Sequence, residues 1–270
     1  LESRKDLIKR DLGITQDNIH VFEHQSCHAY YGYYWYGGND DNFLVMTADG
    51  FGDGANGSIW IGRRGEPLKE IKRTNKCNIG RIYRYITLLL GMKPNEHEYK
   101  VMGLAPYANK KYAEKSYDIF SSTIQVDNLD FTYKEEIKDH FWHFKSKLEG
   151  HRFDGIAYGL QKMTEDLLVK WVGNAVYETK INNVVLSGGV FLNVKANKEI
   201  WGLDDVQSLF VPPGASDESL SVGAAFRFLV ENNHSSGVFD CEPKTDPYLG
   251  NCYDDEHIEN VLGGNKDLFV

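Results

Sequence analysis

The stretch NVVLSGGVFLNVKAN, from Asn183 to Asn197, decides the fold class. Asn183 to Ser187 is a short, continuous apolar run, the pattern of a buried strand. The pair Gly188-Gly189 follows as a turn, and Val190 to Trp201 reads as a helix. The same order then recurs, with Val206 to Val211 as a strand and Glu218 to Val230 as a helix. Strands alternating with helices make a βαβα unit, which places the chain in the α/β class.

Toward the N-terminus, Phe153 to Glu178 repeats apolar residues at helical spacing (Ile156, Leu160, Met163, Leu167, Leu168, Trp171, Ala175) and is expected to pack on a sheet as a long amphipathic helix. Phe43 to Asp49 (FLVMTAD) is an apolar strand ending in a glycine turn. Asn56 to Arg63 and Pro67 to Lys72 return as antiparallel strands of a meander. Ile79 to Leu90 and His97 to Tyr107 read as helices separated by Gly91 and Pro94. Asn18 to Glu23 is expected to be a short strand leading into an aromatic-rich helix from His24 to Tyr36, a cluster suited to either core or interface. Residues 110–150 are charged and weakly patterned, as in small helices or a flap. Beyond Asn232 the chain is polar and rich in Asp, Pro and Gly, so residues 1–235 are expected to form a domain and 236–270 a tail or linker.

Composition narrows the function. With 41% hydrophobic and 26% charged residues in 270, the chain is of ordinary globular type. No apolar run approaches the roughly 18 residues of a membrane span, so a membrane role is not expected. A formal charge of −9 argues against binding nucleic acid through a basic face. The four cysteines, Cys27, Cys77, Cys241 and Cys252, lack zinc-knuckle or disulfide spacing, and the first residues have no signal-peptide pattern; a cytoplasmic protein with reduced thiols is expected. The opening LESRKDLIKRDLG reads as the middle of a helix, as if the sequence began partway through a larger protein.

Several segments carry residue types suited to chemistry. His24 and His28, in HQSCH, stand four apart and project from one helix face, about one turn apart. Two such imidazoles can share a metal ion when a carboxylate from elsewhere completes the site, although the spacing equally suits satisfied core histidines. In TADGFGDGANGSIWIG, Asp49 ends a strand and Gly50 opens a turn whose exposed amides suit a phosphate; a plain hairpin is the alternative. Gly188-Gly189, running into a helix, suits a phosphate at the helix N-terminus without being a GxxxxGK[ST] or GxGxxG loop; close strand–helix packing is the alternative. In EYKVMGLAPY, Glu98 suits a ribose hydroxyl and Lys100 a phosphate or carboxylate, or both belong to a solvated helix face. Asp217, in VPPGASDESLSVGAA, stands just ahead of a helix and by itself reads as an N-cap worth about 1 kcal/mol.

The order and wording of EHQSCHAYYGYY, TADGFGD, NEHEYKVMGLAPYA, LSGGVFLNVKAN, VPPGASDESLSVGAA and DPYLGNCYDDEHIE resemble the O-carbamoyltransferases of nodulation and antibiotic biosynthesis, over about His20 to Ile258. The resemblance implies an actin-like ATPase (ASKHA, ribonuclease H-like) two-lobed fold, here lacking its N-terminal strands. It also implies a separate YrdC-like domain beyond the 236–270 linker that makes carbamoyl adenylate from carbamoyl phosphate and ATP. The carbamoyl group would then pass to a hydroxyl of a small-molecule acceptor, a sugar or polysaccharide precursor, with AMP leaving.

Carried over by motif, His24, His28 and Asp217 match metal ligands with Asp49 as a fourth contact, and iron is the metal implied; imidazoles and carboxylates also suit zinc, manganese or cobalt. Gly188, Gly189 and Asn193 match the nucleotide-binding turn, with Gly50, Glu98 and Lys100 as further nucleotide contacts. The family often writes HHxxH where this chain has Gln25 at the second position. The general base would lie in the absent opening segment, and without the C-terminal activating domain as well this fragment is expected to be unable to make carbamoyl adenylate alone. An actin-fold kinase or phosphatase, a tRNA-modifying transferase and a metal- and nucleotide-binding regulatory module are the competing expectations.

Overall fold

A computed structural model describes residues 2–15, 18–36, 42–63, 66–232, 248 and 250–264. Its helices are α1 (Glu2–Leu12), α2 (His24–Tyr36), α3 (Ile79–Leu89), α4 (Glu98–Leu104), α5 (Lys110–Ser121), α6 (His140–Lys147), α7 (Phe153–Thr179), α8 (Val194–Trp201), α9 (Leu220–Asn232) and α10 (Asp255–Gly264). Strands β1 (Phe43–Gly52), β2 (Ala55–Gly62), β3 (Lys69–Thr74), β6 (Asn183–Ser187) and β7 (Ser208–Phe210) form one mixed sheet in the order β3-β2-β1-β6-β7. The β1, β2 and β3 meander is antiparallel, while β6 pairs parallel with both β1 and β7.

Central strand β1 is apolar from Phe43 to Met46 because both its faces are covered there. Leu44, Met46 and Ala48 face a core shared with α3, α5 and α7, whereas Phe43 and Val45 join Trp60, Val185 and the tyrosines of α2 on the other side. The aromatic cluster is therefore core: Tyr30, Tyr31, Tyr33 and Tyr34 are all buried. Period-two alternation then turns Thr47 and Asp49 toward α2. Two glycines bring the helices of that layer close. A Cβ on Gly32 would lie 3.0 Å from Val185, and one on Gly223 would lie 1.9 Å from the carbonyl oxygen of Cys27, so α2 sits tightly between the sheet and α9.

Several expectations need correction. Asn18 to Glu23 forms no strand. The Glu23 carboxylate instead accepts from the amides of Gln25 and Ser26 at 2.9 Å and caps α2. The helix expected from Val190 opens as a 3₁₀ turn over Gly189–Leu192, and α8 begins at Val194. Residues 110–150 hold α5, α6 and a hairpin of β4 (Ile124–Asp127) with β5 (Asp130–Tyr133). That hairpin is fastened by Trp171, whose indole N–H donates to Leu129 O at 3.0 Å, and by the 2.7 Å pair of Lys72 with Asp130. The described part of the expected tail includes the exposed helix α10; residues 233–247 lie outside the described residues. Among the described residues there is one five-stranded sheet and one two-stranded hairpin. No described helix is long and apolar enough to cross a membrane.

Candidate metal centre and cleft

The three parallel strands β1, β6 and β7 carry the site at their carboxyl ends, where α/β sheets commonly hold ligands. The last paired rung of β1 with β6 is Thr47 with Ser187. Asp49 and Gly189 each lie two residues beyond it. The Gly189 amide donates to Asp49 Oδ1 at 3.2 Å, and the Gly188 amide donates to Ala215 O at 2.8 Å, which draws in the loop after β7. Gly188 has φ +97°, and a Cβ there would meet Ala48 O at 2.3 Å, so the turn requires glycine.

The first turns of α2 supply the facing groups. His24 Nε2 lies 3.0 Å from Asp49 Oδ2 and 3.6 Å from Asp217 Oδ1. His28 Nε2 lies 3.2 Å from His24 Nε2, 3.4 Å from Asp217 Oδ1 and 3.9 Å from Asp49 Oδ2. All four ligand atoms fall within 4.8 Å of one another. A tetrahedral ion with donors at about 2.1 Å has edges of about 3.4 Å, and the five separations above straddle that value. Two imidazoles and two carboxylates therefore fit a divalent transition metal. Asp217 caps no helix: Ser216 precedes the 3₁₀ turn Asp217–Ser219, and the Asp217 carboxylate faces the histidines.

Neighbouring groups hold the ligands in place. The His24 amide donates to Asp53 Oδ2 at 3.0 Å, and the His24 ring lies where a Cβ on Gly52 would sit, 2.2 Å from its Cγ. Gln25 accepts from Thr47 Oγ1 at 2.6 Å, one alternation step before Asp49. His28 is fully buried, and its Nδ1 has no hydrogen-bond partner among the described residues. The hydrogen bond that His24 donates to Asp49 raises the His24 pKa despite burial. Burial opposes ionisation of Asp49, but the hydrogen bond to His24 and the charge of the imidazoles outweigh it and hold the carboxyl below its usual range.

A cleft of about 890 Å³ opens beside the centre. Asp49, Gly50, Glu98, Gly189, Asn193 and Asp217 line it, while Lys100 and Gly188 do not. The structure thus leaves Lys100 out: its side chain is exposed, 5.8 Å from the ring of Tyr99, on a face of α4 turned from the cleft. The Glu98 carboxylate accepts from the Asn95 amide at 2.8 Å, which ties it to the preceding turn. Asn193 caps α8 through the Ala196 amide and exchanges two hydrogen bonds with Gln161, at 2.9 and 3.0 Å; Gln161 also accepts from Tyr83. That network joins α3, α7 and the glycine turn as the floor of the cleft. Arg81 and Arg84 of α3 also line the cleft and were not singled out from the sequence, although their i, i+3 spacing among apolar residues puts both on one helix face.

The chain is 29% identical over 281 aligned residues to the uncharacterized protein MJ1058 of Methanocaldococcus jannaschii, covering 96% of this chain and 45% of that one. It is 26% identical to the nodulation protein NolNO of Sinorhizobium fredii, covering 86% of this chain and 35% of that one. It thus spans less than half the length of these relatives. Among solved structures, the HypF of T. kodakarensis aligns with a TM-score of 0.49 at 15% identity, over 82% of this chain and 38% of that one. A model of the family described as the carbamoyltransferase N-terminus matches residues 6–226, from within α1 to within α9 and through all four candidate ligands, and the chain belongs to that family.

Proposed function

We propose that this chain carries the transfer site of an O-carbamoyltransferase, in which carbamoyl adenylate, made from carbamoyl phosphate and ATP, gives its carbamoyl group to a hydroxyl of a sugar or other small acceptor. The observation that carries the proposal is the convergence of His24, His28, Asp49 and Asp217 from three separate segments at one end of the cleft. Membership of the carbamoyltransferase family supports carbamoyl transfer. The mixed sheet, with a meander beside parallel strands, suits one lobe of an actin-like fold. Because the chain spans less than half of its relatives, donor activation is assigned to the remaining length of the whole protein, past a 236–270 linker.

The acceptor oxygen attacks the carbamoyl carbon, the bond from that carbon to the adenylate phosphate oxygen breaks, and AMP departs with the electron pair. The hydroxyl proton passes to a general base outside the four ligands. His24, His28, Asp49 and Asp217 would hold a divalent metal, iron by family resemblance, which would supply positive charge to stabilise the phosphate leaving group. The chain's own residues position the partners. Gly189 orients the Asp49 carboxylate, and Asn193 with Gln161 and Tyr83 fixes the floor against which Gly50, Gly189 and Glu98 receive the nucleotide. Elemental analysis of the purified chain tests the assignment. Stoichiometric iron or zinc is expected in the wild type and is expected to be lost in both His24→Ala and Asp217→Ala; full occupancy in either variant would remove the proposed centre.

A further inference from the structure

We propose that Arg81 and Arg84 form an anion subsite in the wall of this cleft and bind a phosphate-type group of the ligand. The inference rests on the cleft being a ligand site, as in the transferase reading, but not on the metal. Among the described residues that line the cleft these two are the only Lys, Arg or His, set against the acids Asp49, Glu96, Glu98, Asp217 and Glu218. An anionic ligand entering a cleft so acidic, on a chain of net charge −9, needs fixed positive charge to offset the repulsion.

Both guanidiniums are uncommitted. Arg73, Arg152 and Arg227 are each held by a carboxylate, at 2.7, 3.1 and 2.8 Å. Neither Arg81 nor Arg84 makes a hydrogen bond or ion pair with the described residues. Arg81 lies over the face of Phe51, 5.8 Å from the ring centroid, and that ring is half exposed and itself lines the cleft; its charge also acts on the neighbouring His140. A guanidinium stacked on an aromatic face keeps its planar fork of donors free for a phosphate or carboxylate.

Their position is fixed close to the nucleotide turn. A Cβ on Gly80 would meet Gly50 Cα and Val190 Cγ2, each at 3.1 Å, so the start of α3 lies directly against the two glycine turns. Arg81 follows Gly80, and Arg84 stands one helical turn farther along the same wall. The anion so bound is either the phosphate of the adenylate or an acidic group on the acceptor, and the two sources share this chemistry.

Calorimetric titration of the 270-residue chain with adenosine, AMP and glucose 6-phosphate tests the subsite. The proteins compared are wild type, Arg81→Gln, Arg84→Gln, the double variant, and Lys170→Gln as a control for lost surface charge. The phosphate probe that binds wild type is expected to weaken at least about tenfold in the double variant, to recover partly in Arg81→Lys, and to be unchanged in Lys170→Gln. Adenosine binding is expected to stay constant. Loss of AMP binding assigns the subsite to the nucleotide, whereas loss confined to glucose 6-phosphate assigns it to the acceptor. Phosphate binding that is absent in wild type, or equal in wild type and the double variant, overturns the proposal. Metal content of the same samples separates the two claims: arginine-dependent phosphate binding by a chain that holds no metal would sink the metal centre and leave the subsite standing.

Discussion

The Gly189 amide donates to Oδ1 of Asp49 at 3.2 Å, while Oδ2 of the same carboxylate faces His24 Nε2 at 3.0 Å. The glycine turn after β6 therefore acts on the candidate metal centre directly. A turn that looks suited only to phosphate is also the group that sets the direction of one metal ligand. Both roles arise because β1 and β6 are parallel and in register, which brings their carboxyl-end loops to one level.

Gly188 and Gly189 separate these roles experimentally. A Cβ at Gly189 would lie 2.8 Å from Asp49 Oδ1 and 3.0 Å from Ser216 Oγ, without requiring a positive φ. Gly189→Ala is therefore expected to keep the fold and weaken metal binding by about 10–100-fold, as loss of an outer-shell partner does. Gly188→Ala forces both a strained φ and a 2.3 Å approach to Ala48 O, and is expected to lower the melting temperature as well. Melting curves beside metal titrations distinguish the two; equal destabilisation by both would contradict this division.

Acidification is expected to release the metal. His24 must be neutral to ligate, and its hydrogen bond to Asp49 raises its pKa in the metal-free chain, so protons compete from the upper side of the usual histidine range. Affinity is expected to fall by about tenfold per pH unit once pH drops below that raised pKa. The metal-free chain behaves in the opposite sense. The His24 contribution to stability is fully present below the unfolded-state pKa and is lost as pH rises through the raised one; that of Asp49 is present above the usual carboxylate value and lost only in stronger acid. Thermal melts with and without chelator across pH 5 to 9 would show the two trends crossing; parallel trends would contradict them.

Much of this site can be read from residue order. The HxxxH spacing places two imidazoles on one helix face, and strand alternation from Phe43 turns Asp49 toward that helix. Asp217 was ambiguous because a residue just ahead of a helix satisfies capping statistics whether or not its carboxylate caps; only the packing of the loop against Gly188 turns it to the histidines. The NIHVFE segment shows the opposite failure. Its β-propensity is real, but it pairs with no strand among the described residues, Val21 stays exposed, and the terminal Glu23 is more effective as a helix cap. The β4–β5 hairpin escaped notice because it is only four residues a side and is anchored by Trp171, distant in sequence.

Lys100 and Trp171 give a contrast between an apparent motif residue and a silent structural one. Lys100→Ala is expected to leave metal and AMP binding within about twofold of wild type, because its side chain is exposed outside the cleft. Trp171→Ala removes a fully buried ring that packs against Phe131 at 5.1 Å and donates to Leu129 O. It is expected to cost about 3–5 kcal/mol in chemical denaturation. A loss of less than about 1 kcal/mol would mean that the hairpin is not held in this way.

Gly223 tests whether the helix layer positions the metal ligands. The α9 backbone approaches Cys27 so closely that any Cβ at position 223 meets the Cys27 carbonyl at 1.9 Å, and Arg227, one turn on, donates to Ser26 Oγ at 2.6 Å. Cys27 lies between the two histidines in sequence, and the turn carrying Asp217 runs straight into α9. Gly223→Ala must push α9 away from α2, which moves Asp217 relative to His24 and His28 while leaving the Gly189–Asp49 contact intact. Metal affinity is expected to fall by at least about tenfold, with Asp49 still screened from solvent. Arg227→Ala removes the neighbouring hydrogen bond without forcing the helices apart, so it is expected to leave affinity within about threefold of wild type. Comparable losses in both variants would show that α2–α9 cohesion in general, rather than the close approach at Gly223, sets the distance from Asp217 to the histidines.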